Sequence, residues 1–291
     1  MTDDNDVIVM AAPVACVWAC AGAWVEGTGA PEAILDAGER DRAGAFVTGA
    51  DRRRFVAAHW LKRQVLGQIT GRDPAGLAFG RGANGKPVLS DGPAFNISHG
   101  GDWVALAIGL TGPVGVDVEI GRDEGFWQDV RPVVTGPGDG AFDPLRLWTA
   151  KEAALKCRGT GFLMDPRGMA IVPDGAGFVA CPVDWAGHEG GAGRDDRVYS
   201  DVRVSGDGGA CRGDRESRGN RVCKDRGADH PTKENRDVGA SQADGPLFGQ
   251  WRMADDLHCL AVAAPVRGVS WRIIRRPEAL AGMLAELPQG G

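Results

Sequence analysis

Apolar residues recur with a helical period in the region that follows residue 50. They are spaced three or four residues apart, at Phe55, Ala58, Leu61 and Val65. This spacing places them on one face of a helix. Asp51 favours an N-cap and Gly67 a C-terminal stop, so we predict a helix between these two residues. Arg54 and Arg63 fall on other faces, where solvent exposure is the common case.

Strand-like segments follow this helix. Residues 94–99 run into the turn Gly100-Gly101, and residues 103–108 return as a second strand. Thr111-Gly-Pro113 interrupts the pattern before another short strand at residues 114–119. We place the boundary between two halves of the chain at this interruption.

A second helix is marked at both of its ends. Asp143 suits an N-cap, Pro144 is tolerated at the first helical position, and Gly159 stops the helix. The motif from Trp148 to Lys156 lies on this helix. A further strand is predicted at residues 257–263.

Residues 187–245 differ in composition from the rest of the chain. They alternate Gly, Arg, Asp and Ser and contain almost no large apolar residues, so we predict a disordered, low-complexity insertion. The expected fold class is α+β. Residues 1–112 form the N-terminal half, and residues 113–186 and 246–291 form the C-terminal half.

Composition and charge narrow the classes of function. The apolar fraction of 43% is enough for a core, and the net charge of −6 argues against a nucleic-acid-binding protein. No apolar run is long enough to span a membrane. The acidic residues before the apolar segment 7–25 do not fit a signal peptide. Seven scattered cysteines indicate no disulfide framework, so we expect a cytoplasmic protein.

Asp117 and Glu119 are the first candidate chemical pair. Alternate residues of a strand share a face, so these carboxylates point to one side and Val116 and Val118 to the other. A solvated strand face would explain two acids. The flanking valines favour a more enclosed strand, in which carboxylate oxygens and substrate phosphates hold Mg²⁺.

Trp148, Glu152 and Lys156 are spaced four residues apart along one stripe of the second helix. Glu152 and Lys156 alone would be read as an ion pair on a wet surface. The tryptophan weakens that interpretation, because a large aromatic side chain usually marks the buried side.

Two further segments carry cations or donors. Ser98-His99 precedes two glycines, where backbone N–H groups can approach an anion, and Lys86 lies in the turn Asn84-Gly-Lys-Pro87. Each has a plain alternative, a structural histidine and a solubilising lysine. Acids for a metal, cations for phosphate and an acid beside a lysine together indicate metal-assisted attack at a phosphoryl group.

Four ordered motifs resemble those of the surfactin-type 4′-phosphopantetheinyl transferases. They are Gly85-Lys-Pro87, Phe95-Asn-Ile-Ser-His99, Gly115-Val-Asp-Val-Glu119, and Trp148-Thr-Ala-Lys-Glu-Ala-Ala-Leu-Lys156 with Gly159-Thr-Gly161. The likeness covers about residues 38–173, with an echo at 257–263. It implies two similar α/β halves forming a pseudo-dimer in one chain, a coenzyme A site in the cleft between them, and a monomer.

The resemblance also implies the roles of individual residues. Mg²⁺ would be held by Asp117, Glu119 and Glu152. Lys156 would be a catalytic residue with Glu152, because it would contact the pyrophosphate of coenzyme A and assist the departure of the leaving group. The remaining coenzyme A contacts would be Ser98 and His99 near the 3′-phosphorylated nucleotide, Lys86 near the adenine, and Arg54 and Arg42 near the 3′-phosphate.

The implied reaction transfers 4′-phosphopantetheine from coenzyme A to a serine of an apo acyl or peptidyl carrier protein and releases 3′,5′-ADP. Glu152, or a water molecule on the metal, would take the serine proton. The carrier could serve fatty-acid, polyketide, nonribosomal-peptide or siderophore assembly.

The sequence departs from the family pattern at two positions and in the insertion 187–245, which has no counterpart in the family pattern. Gly100 stands where many relatives have serine, and Glu39 stands at a lysine position, where it would repel a 3′-phosphate unless Arg40 substitutes. The alternative is a coenzyme A-binding regulatory or assembly protein that has lost transferase activity, and the intact Asp117, Glu119, Glu152 and Lys156 argue against it. A different nucleotide-dependent phosphotransferase would be expected to show a Walker-type loop, and the sequence has none.

Overall fold

The computed structural model describes residues 16–21, 30–183, 245–254 and 257–274. These ranges contain both α-helices and antiparallel sheets, which confirms the expected mixture of helix and strand. Of the predicted insertion 187–245, all but Gly245 lies outside the described residues. No helix within the described ranges has the length and apolar character needed to cross a membrane.

The helices and strands alternate irregularly along the chain. The α-helices are α1 (Ala37–Gly44), α2 (Gly49–Thr70), α3 (Glu124–Val134) and α4 (Pro144–Arg158). The strands are β1 (Cys16–Ala21), β2 (Phe79–Arg81), β3 (Pro87–Leu89), β4 (Ala94–Gly100), β5 (Trp103–Gly109), β6 (Gly115–Ile120), β7 (Met169–Asp174), β8 (Gly177–Pro182), β9 (Leu247–Met253), β10 (His258–Ala264) and β11 (Ser270–Ile274). The strands predicted at 94–99, 103–108, 114–119 and 257–263 are thus confirmed to within a residue or two.

Two sheets make up most of the structure. The four-stranded sheet has the order β11-β1-β5-β4, and the five-stranded sheet has the order β6-β10-β9-β8-β7. β2 and β3 form a small separate pair. Neighbouring strands are antiparallel except for β1 and β11, which are parallel.

β11 pairs with a strand of the other half of the chain. Its residues 270–274 lie beside β1 in the four-stranded sheet. Residues 246–291 are predicted to belong to the C-terminal half, and this pairing links their strand β11 to the sheet that contains β4 and β5. The pairing partner of a short strand is set by tertiary packing, and the local sequence pattern contains no information about it.

The alternation along β5 shows how the layers stack. Val104, Leu106 and Ile108 pack in a cluster with α2, and the intervening Trp103, Ala105 and Ala107 pack against the five-stranded sheet. On β10, Leu260 and Val262 face this second cluster, and Ala261 and Ala263 face α4. The order of layers is therefore α2, four-stranded sheet, five-stranded sheet, α4. Burial on both faces explains why these strands read as apolar runs.

α2 is longer than predicted at both ends. Its N-cap is Thr48, whose hydroxyl accepts from the Asp51 backbone N–H at 3.1 Å, so Asp51 lies within the first turn. The helix continues through Gly67 and ends at Gly71, which has a φ of 65°. Thr48 and Asp51 are both favourable residues at a helix start, and the sequence pattern alone did not separate them.

Arg63 is fully buried, in contrast to the solvent exposure that is common for an arginine on a helix. Its guanidinium donates to Glu39 and Asp36, each at 2.6 Å, and to the carbonyl oxygens of Pro74 and Leu77. Lys62 also donates to Glu39, at 2.6 Å. The network ties α1 to α2 and to the segment that follows α2.

Glu39 is the acidic residue that stood at a lysine position of the family. Burial alone would raise the pKa of its carboxyl group, but hydrogen bonds from His59, Lys62 and Arg63 outweigh burial and hold the pKa well below its ordinary value. The negative charge is thus compensated inside the protein. The expected repulsion between Glu39 and a phosphate stays a prediction.

Candidate active site

Asp117 and Glu119 lie on β6, on the face that packs against α4. Val118, which lies between the two acids, and Val116, which precedes Asp117, are buried in the cluster between the two sheets. The predicted alternation is therefore confirmed, and the two acids face α4. Asp117 is only 2% exposed, which excludes a solvated strand face for this residue.

α4 approaches β6 very closely at its C-terminal end. A Cβ atom on Gly115 would lie 2.0 Å from the carbonyl oxygen of Ala153, so only glycine fits there. The helix has the predicted ends, since the Asp143 side chain accepts from the Arg146 N–H and Gly159 has a φ of 72°. These contacts fix the face that carries Glu152 and Lys156 next to the acids of β6.

Lys156 and Glu152 do not form the surface ion pair that the sequence left open. The Lys156 ammonium instead donates to Asp117 Oδ1 and, at 3.1 Å, to the Ser98 hydroxyl. Glu152 is buried. Its Oε1 has no hydrogen-bond partner, and neither has Asp117 Oδ2.

Burial and a neighbouring charge raise the pKa of two of these carboxyl groups, Glu152 and Glu119. Burial, and then the charge of Asp117, raises the pKa of Glu152 to about 7. Burial and Asp117 also raise the pKa of Glu119, against the lowering effect of a hydrogen bond from Trp148. Like charges held together in a buried place destabilise their own ionised forms, and a cation between them would reverse this effect.

The donor set fits a hard divalent cation. Asp117 Oδ2 and Glu152 Oε1 are buried acceptors without a partner, and Mg²⁺ binds to carboxylate oxygens. Within the described residues, however, no three acidic, histidine or cysteine side chains already stand at metal-binding distances. Asp117 and Glu119 each have one oxygen atom engaged by a donor, Oδ1 and Oε1 respectively.

Trp148 orients one of these acids, a role that we did not predict. Its indole Nε1–H donates to Glu119 Oε1 at 2.9 Å, and its ring packs at the edge of the α4 core. The sequence suggested only that Trp148 buries its stripe of the helix. The available signal was that a half-buried tryptophan usually finds an acceptor for its N–H.

Trp148→Phe removes this donor and keeps an aromatic ring on the helix. We expect the variant to bind Mn²⁺, a probe for the magnesium site, about five- to thirty-fold more weakly, because a hydrogen bond to a charged acceptor is lost. Mn²⁺ titration followed by electron paramagnetic resonance measures the affinity. Trp251→Phe is the matched control, since its indole N–H donates to the Arg146 carbonyl oxygen at 3.0 Å. Equal affinities for the two variants would contradict the role of Trp148.

His99 and Arg54 lie near each other at the edge of this group. Partial burial, and then the charges of Arg54 and Lys156, lowers the pKa of His99. Arg54 forms an ion pair with Asp51. The guanidinium of Arg42 lies 6.0 Å from the ring centre of Phe55, on α2. The predicted contacts of these three residues with coenzyme A stay predictions.

Lys86 has a structural role that the sequence did not indicate. Its ammonium donates to the carbonyl oxygens of Val114 at 2.9 Å and of Lys156 at 2.7 Å. It thereby caps the C-terminal end of α4, where carbonyl groups lack helical partners. A contact between Lys86 and the adenine also stays a prediction.

Lys151, next to Glu152 in the motif, is completely buried. It donates to Asp139 Oδ2 at 2.7 Å and to the carbonyl oxygens of Val134 and Pro166 at 2.6 and 3.0 Å. Asp139 in turn accepts from the backbone N–H of Ile171 at 2.8 Å. Lys151 thus joins α4 to the end of α3 and to β7.

Two family models match consecutive parts of the chain. The model described as "4′-phosphopantetheinyl transferase, N-terminal" matches residues 29–110, and the model of the "4′-phosphopantetheinyl transferase superfamily" matches residues 113–185. The first match contains Ser98 and His99, and the second contains the three acids and Lys156.

Curated relatives bear the same description. The chain is 31% identical over 147 residues to the 4′-phosphopantetheinyl transferase HetI of Nostoc sp., and this match covers 44% of this chain and 61% of HetI. It is 29% identical over 189 residues to a 4′-phosphopantetheinyl transferase of Bacillus subtilis, with 53% and 79% covered. It is 36% identical over 115 residues to AcpT of Salmonella typhi, with 35% and 59% covered. The chain thus spans about three fifths of the length of HetI and AcpT.

Proposed function

Because the chain belongs to the 4′-phosphopantetheinyl transferase superfamily, we propose that it transfers 4′-phosphopantetheine from coenzyme A to a serine of an apo carrier protein. The observation that carries this proposal is that Asp117 and Glu119 lie on the face of β6 that packs against α4, the helix that carries Glu152 and Lys156. Two buried carboxylate oxygens without a partner next to a lysine suit a cation and a pyrophosphate.

We propose that Asp117, Glu119 and Glu152 hold Mg²⁺. When bound, the ion neutralises negative charge that develops on the pyrophosphate. Burial and then the charge of Asp117 raise the pKa values of both Glu119 and Glu152, which supports this assignment because a cation would favour their ionised forms.

Lys156 is placed to bind the pyrophosphate. Its ammonium has three protons, and its side chain is 29% exposed, so it can exchange Asp117 for a phosphate oxygen. On the nucleotide side, Arg54 and Arg42 would contact the 3′-phosphate, and His99 would lie between Arg54 and Lys156. A neutral imidazole, favoured by the lowered pKa of His99, still offers one N–H to a phosphate.

The transfer is an in-line substitution at phosphorus. The serine Oγ of the carrier forms a bond to the β-phosphorus, and the bond from that phosphorus to the bridging oxygen breaks. The electron pair leaves with 3′,5′-ADP, and Glu152 takes the serine proton. A carboxylate is a competent base when it lies within hydrogen-bond reach of the hydroxyl group.

We also propose that the two halves of the chain enclose the coenzyme A site in a cleft and that one chain suffices. Each of the two sheets is covered by one long helix, α2 or α4, and the candidate residues come from both halves. Light scattering coupled to size-exclusion chromatography would then give the mass of a monomer, with or without coenzyme A.

The proposal predicts a specific covalent product. With Mg²⁺, coenzyme A and an apo acyl or peptidyl carrier domain, the carrier serine should gain a phosphopantetheine group, detected as a mass increase of the intact carrier. A carrier with this serine changed to alanine is the control. Tight coenzyme A binding without an adduct on any of several carriers would instead favour a coenzyme A-binding regulatory protein.

A further inference from the structure

β4 and β6 are edge strands of different sheets, and side chains join them. Asn96 Oδ1 accepts from the Val116 backbone N–H at 2.8 Å, and Ser98 Oγ accepts from the Val118 backbone N–H at 3.3 Å. We call these two pairs the β4–β6 seam. The paired residues are two apart on each strand, 96 and 98 on β4 and 116 and 118 on β6. The seam therefore fixes the register of β6 relative to β4.

Gly100 allows β4 and β6 to approach each other closely at the seam. A Cβ atom on Gly100 would lie 2.4 Å from the Val118 carbonyl oxygen, so a side chain there would push the two strands apart. Asn96, Ser98 and Gly100 thus face β6 at alternate positions of one strand. The family resemblance pointed to Ser98 and His99 as a coenzyme A motif, and the seam shows a second use of the same segment.

The hydroxyl group of Ser98 makes three hydrogen bonds. It donates to Asp117 Oδ1 at 2.9 Å and accepts from Val118 N–H and from Lys156 Nζ, the latter at 3.1 Å. A serine hydroxyl has one proton and two acceptor lone pairs, so its capacity is full. The residue is also 7% exposed.

These bonds conflict with a phosphate contact. Phosphate oxygens accept hydrogen bonds, and the one proton of Ser98 is already donated to a carboxylate. Movement of Lys156 to a substrate would free a lone pair on Ser98, which a phosphate cannot use. By contrast, the bond to Asp117 Oδ1 holds that carboxylate so that Oδ2 remains the acceptor without a partner.

We infer that Ser98 is a positioning residue that orients Asp117 for the cation, and that it does not bind the nucleotide. This inference rests on the proposed function, because it assigns Asp117 to Mg²⁺. Groups that hydrogen-bond to a metal-binding carboxylate typically change metal affinity ten- to hundred-fold when they are removed.

The test is a Mn²⁺ titration without coenzyme A, followed by electron paramagnetic resonance. Ser98→Ala should weaken Mn²⁺ binding about ten- to hundred-fold. Ser98→Thr keeps the hydroxyl and should stay within about three-fold of wild type, since the hydrogen bonds persist. Asn96→Ala breaks the other pair of the seam without touching Asp117, so it should bind Mn²⁺ as wild type does. Circular dichroism and thermal melting check that each variant is folded.

A kinetic comparison gives a second readout. At saturating Mg²⁺, the KM of Ser98→Ala for coenzyme A and the ratio of its kcat/KM values for coenzyme A and 3′-dephospho-coenzyme A should match those of wild type. A raised KM with unchanged Mn²⁺ affinity would overturn the inference and show a nucleotide contact. So would a folded Ser98→Thr that binds Mn²⁺ as weakly as Ser98→Ala, and so would an equal loss in Asn96→Ala.

The inference and the proposed function can fail separately. Mn²⁺ binding requires neither coenzyme A nor a carrier protein, so the Ser98 comparison is valid even if no carrier is modified. Such a result would sink the transferase proposal and leave the positioning role supported. A wild-type protein that binds no Mn²⁺ would overturn the inference, whatever the transfer assay shows.

Discussion

Glu152→Gln is expected to reduce transfer to a carrier protein by at least about a hundred-fold, the loss usual for a positioned acid or base. The amide cannot take the serine proton, and it is a poorer ligand for a hard cation. Stopped reactions analysed by mass spectrometry of the carrier measure the rate. Glu124→Gln, an exposed Glu in the first turn of α3, is the matched control and should keep wild-type activity.

The same change is expected to stabilise the protein in the absence of divalent ions. The pKa of Glu152 is raised from 4.5 to about 7 in the folded state, so the folded protein binds more protons than the unfolded one between these values. Stability therefore falls as pH rises through this window, by up to about 3 kcal/mol. The amide of the variant does not titrate, so Glu152→Gln should melt several degrees higher than wild type at pH 8 and nearly equally at pH 5.

Thermal melts in EDTA at the two pH values test this expectation. If Glu152→Gln lost activity without gaining stability at pH 8, the ionised Glu152 carboxylate would not lower the free energy of unfolding of the wild-type protein. Wild-type turnover by Glu152→Gln would remove both the metal and the base assignment. A gain in stability upon loss of a functional acid is common where a site is organised for a ligand.

Lys151→Met is expected to destabilise the fold by about 3–5 kcal/mol, the cost typical of breaking a buried ion pair. The variant leaves the Asp139 carboxylate, which is 2% exposed, and two carbonyl oxygens without their cation. Urea unfolding followed by circular dichroism measures the loss. Transfer activity should fall with the folded fraction, because Lys151 touches none of the candidate reacting groups.

Arg146→Met on the same helix is the control, since Arg146 is about half exposed and its pair with Asp143 is worth little. Its stability should stay within about 0.5 kcal/mol of wild type. In the double variant, Asp139→Asn should recover part of the loss by removing the unpaired charge. A Lys151→Met protein with an unchanged urea midpoint would exclude the ion pair as a structural support.

The sequence predicted those parts of the site that depend on local structure. The limits of α4 follow from Asp143, Pro144 and Gly159, each of which acts on the backbone within one turn. The shared face of Asp117 and Glu119 follows from strand geometry alone. Both predictions needed only neighbours a few residues away.

Reasoning from neighbouring residues did not predict that cationic side chains would be buried. Arg63 is buried against Asp36 and Glu39, and these partners lie 27 and 24 residues earlier in the chain. A helix pattern shows which face a side chain is on and gives no information on what a distant segment places there. The Trp148–Glu119 bond, which spans 29 residues, was missed for the same reason.

The parallel pairing of β1 and β11 has a consequence for how the chain reaches its native state. The four-stranded sheet gains its outer strand only when residues 270–274 meet residues 16–21. Contacts between such distant segments form late, because a long loop must close first. During synthesis, the first half must therefore leave the ribosome with an open sheet edge, and its completion depends on nearly the last described residues of the protein.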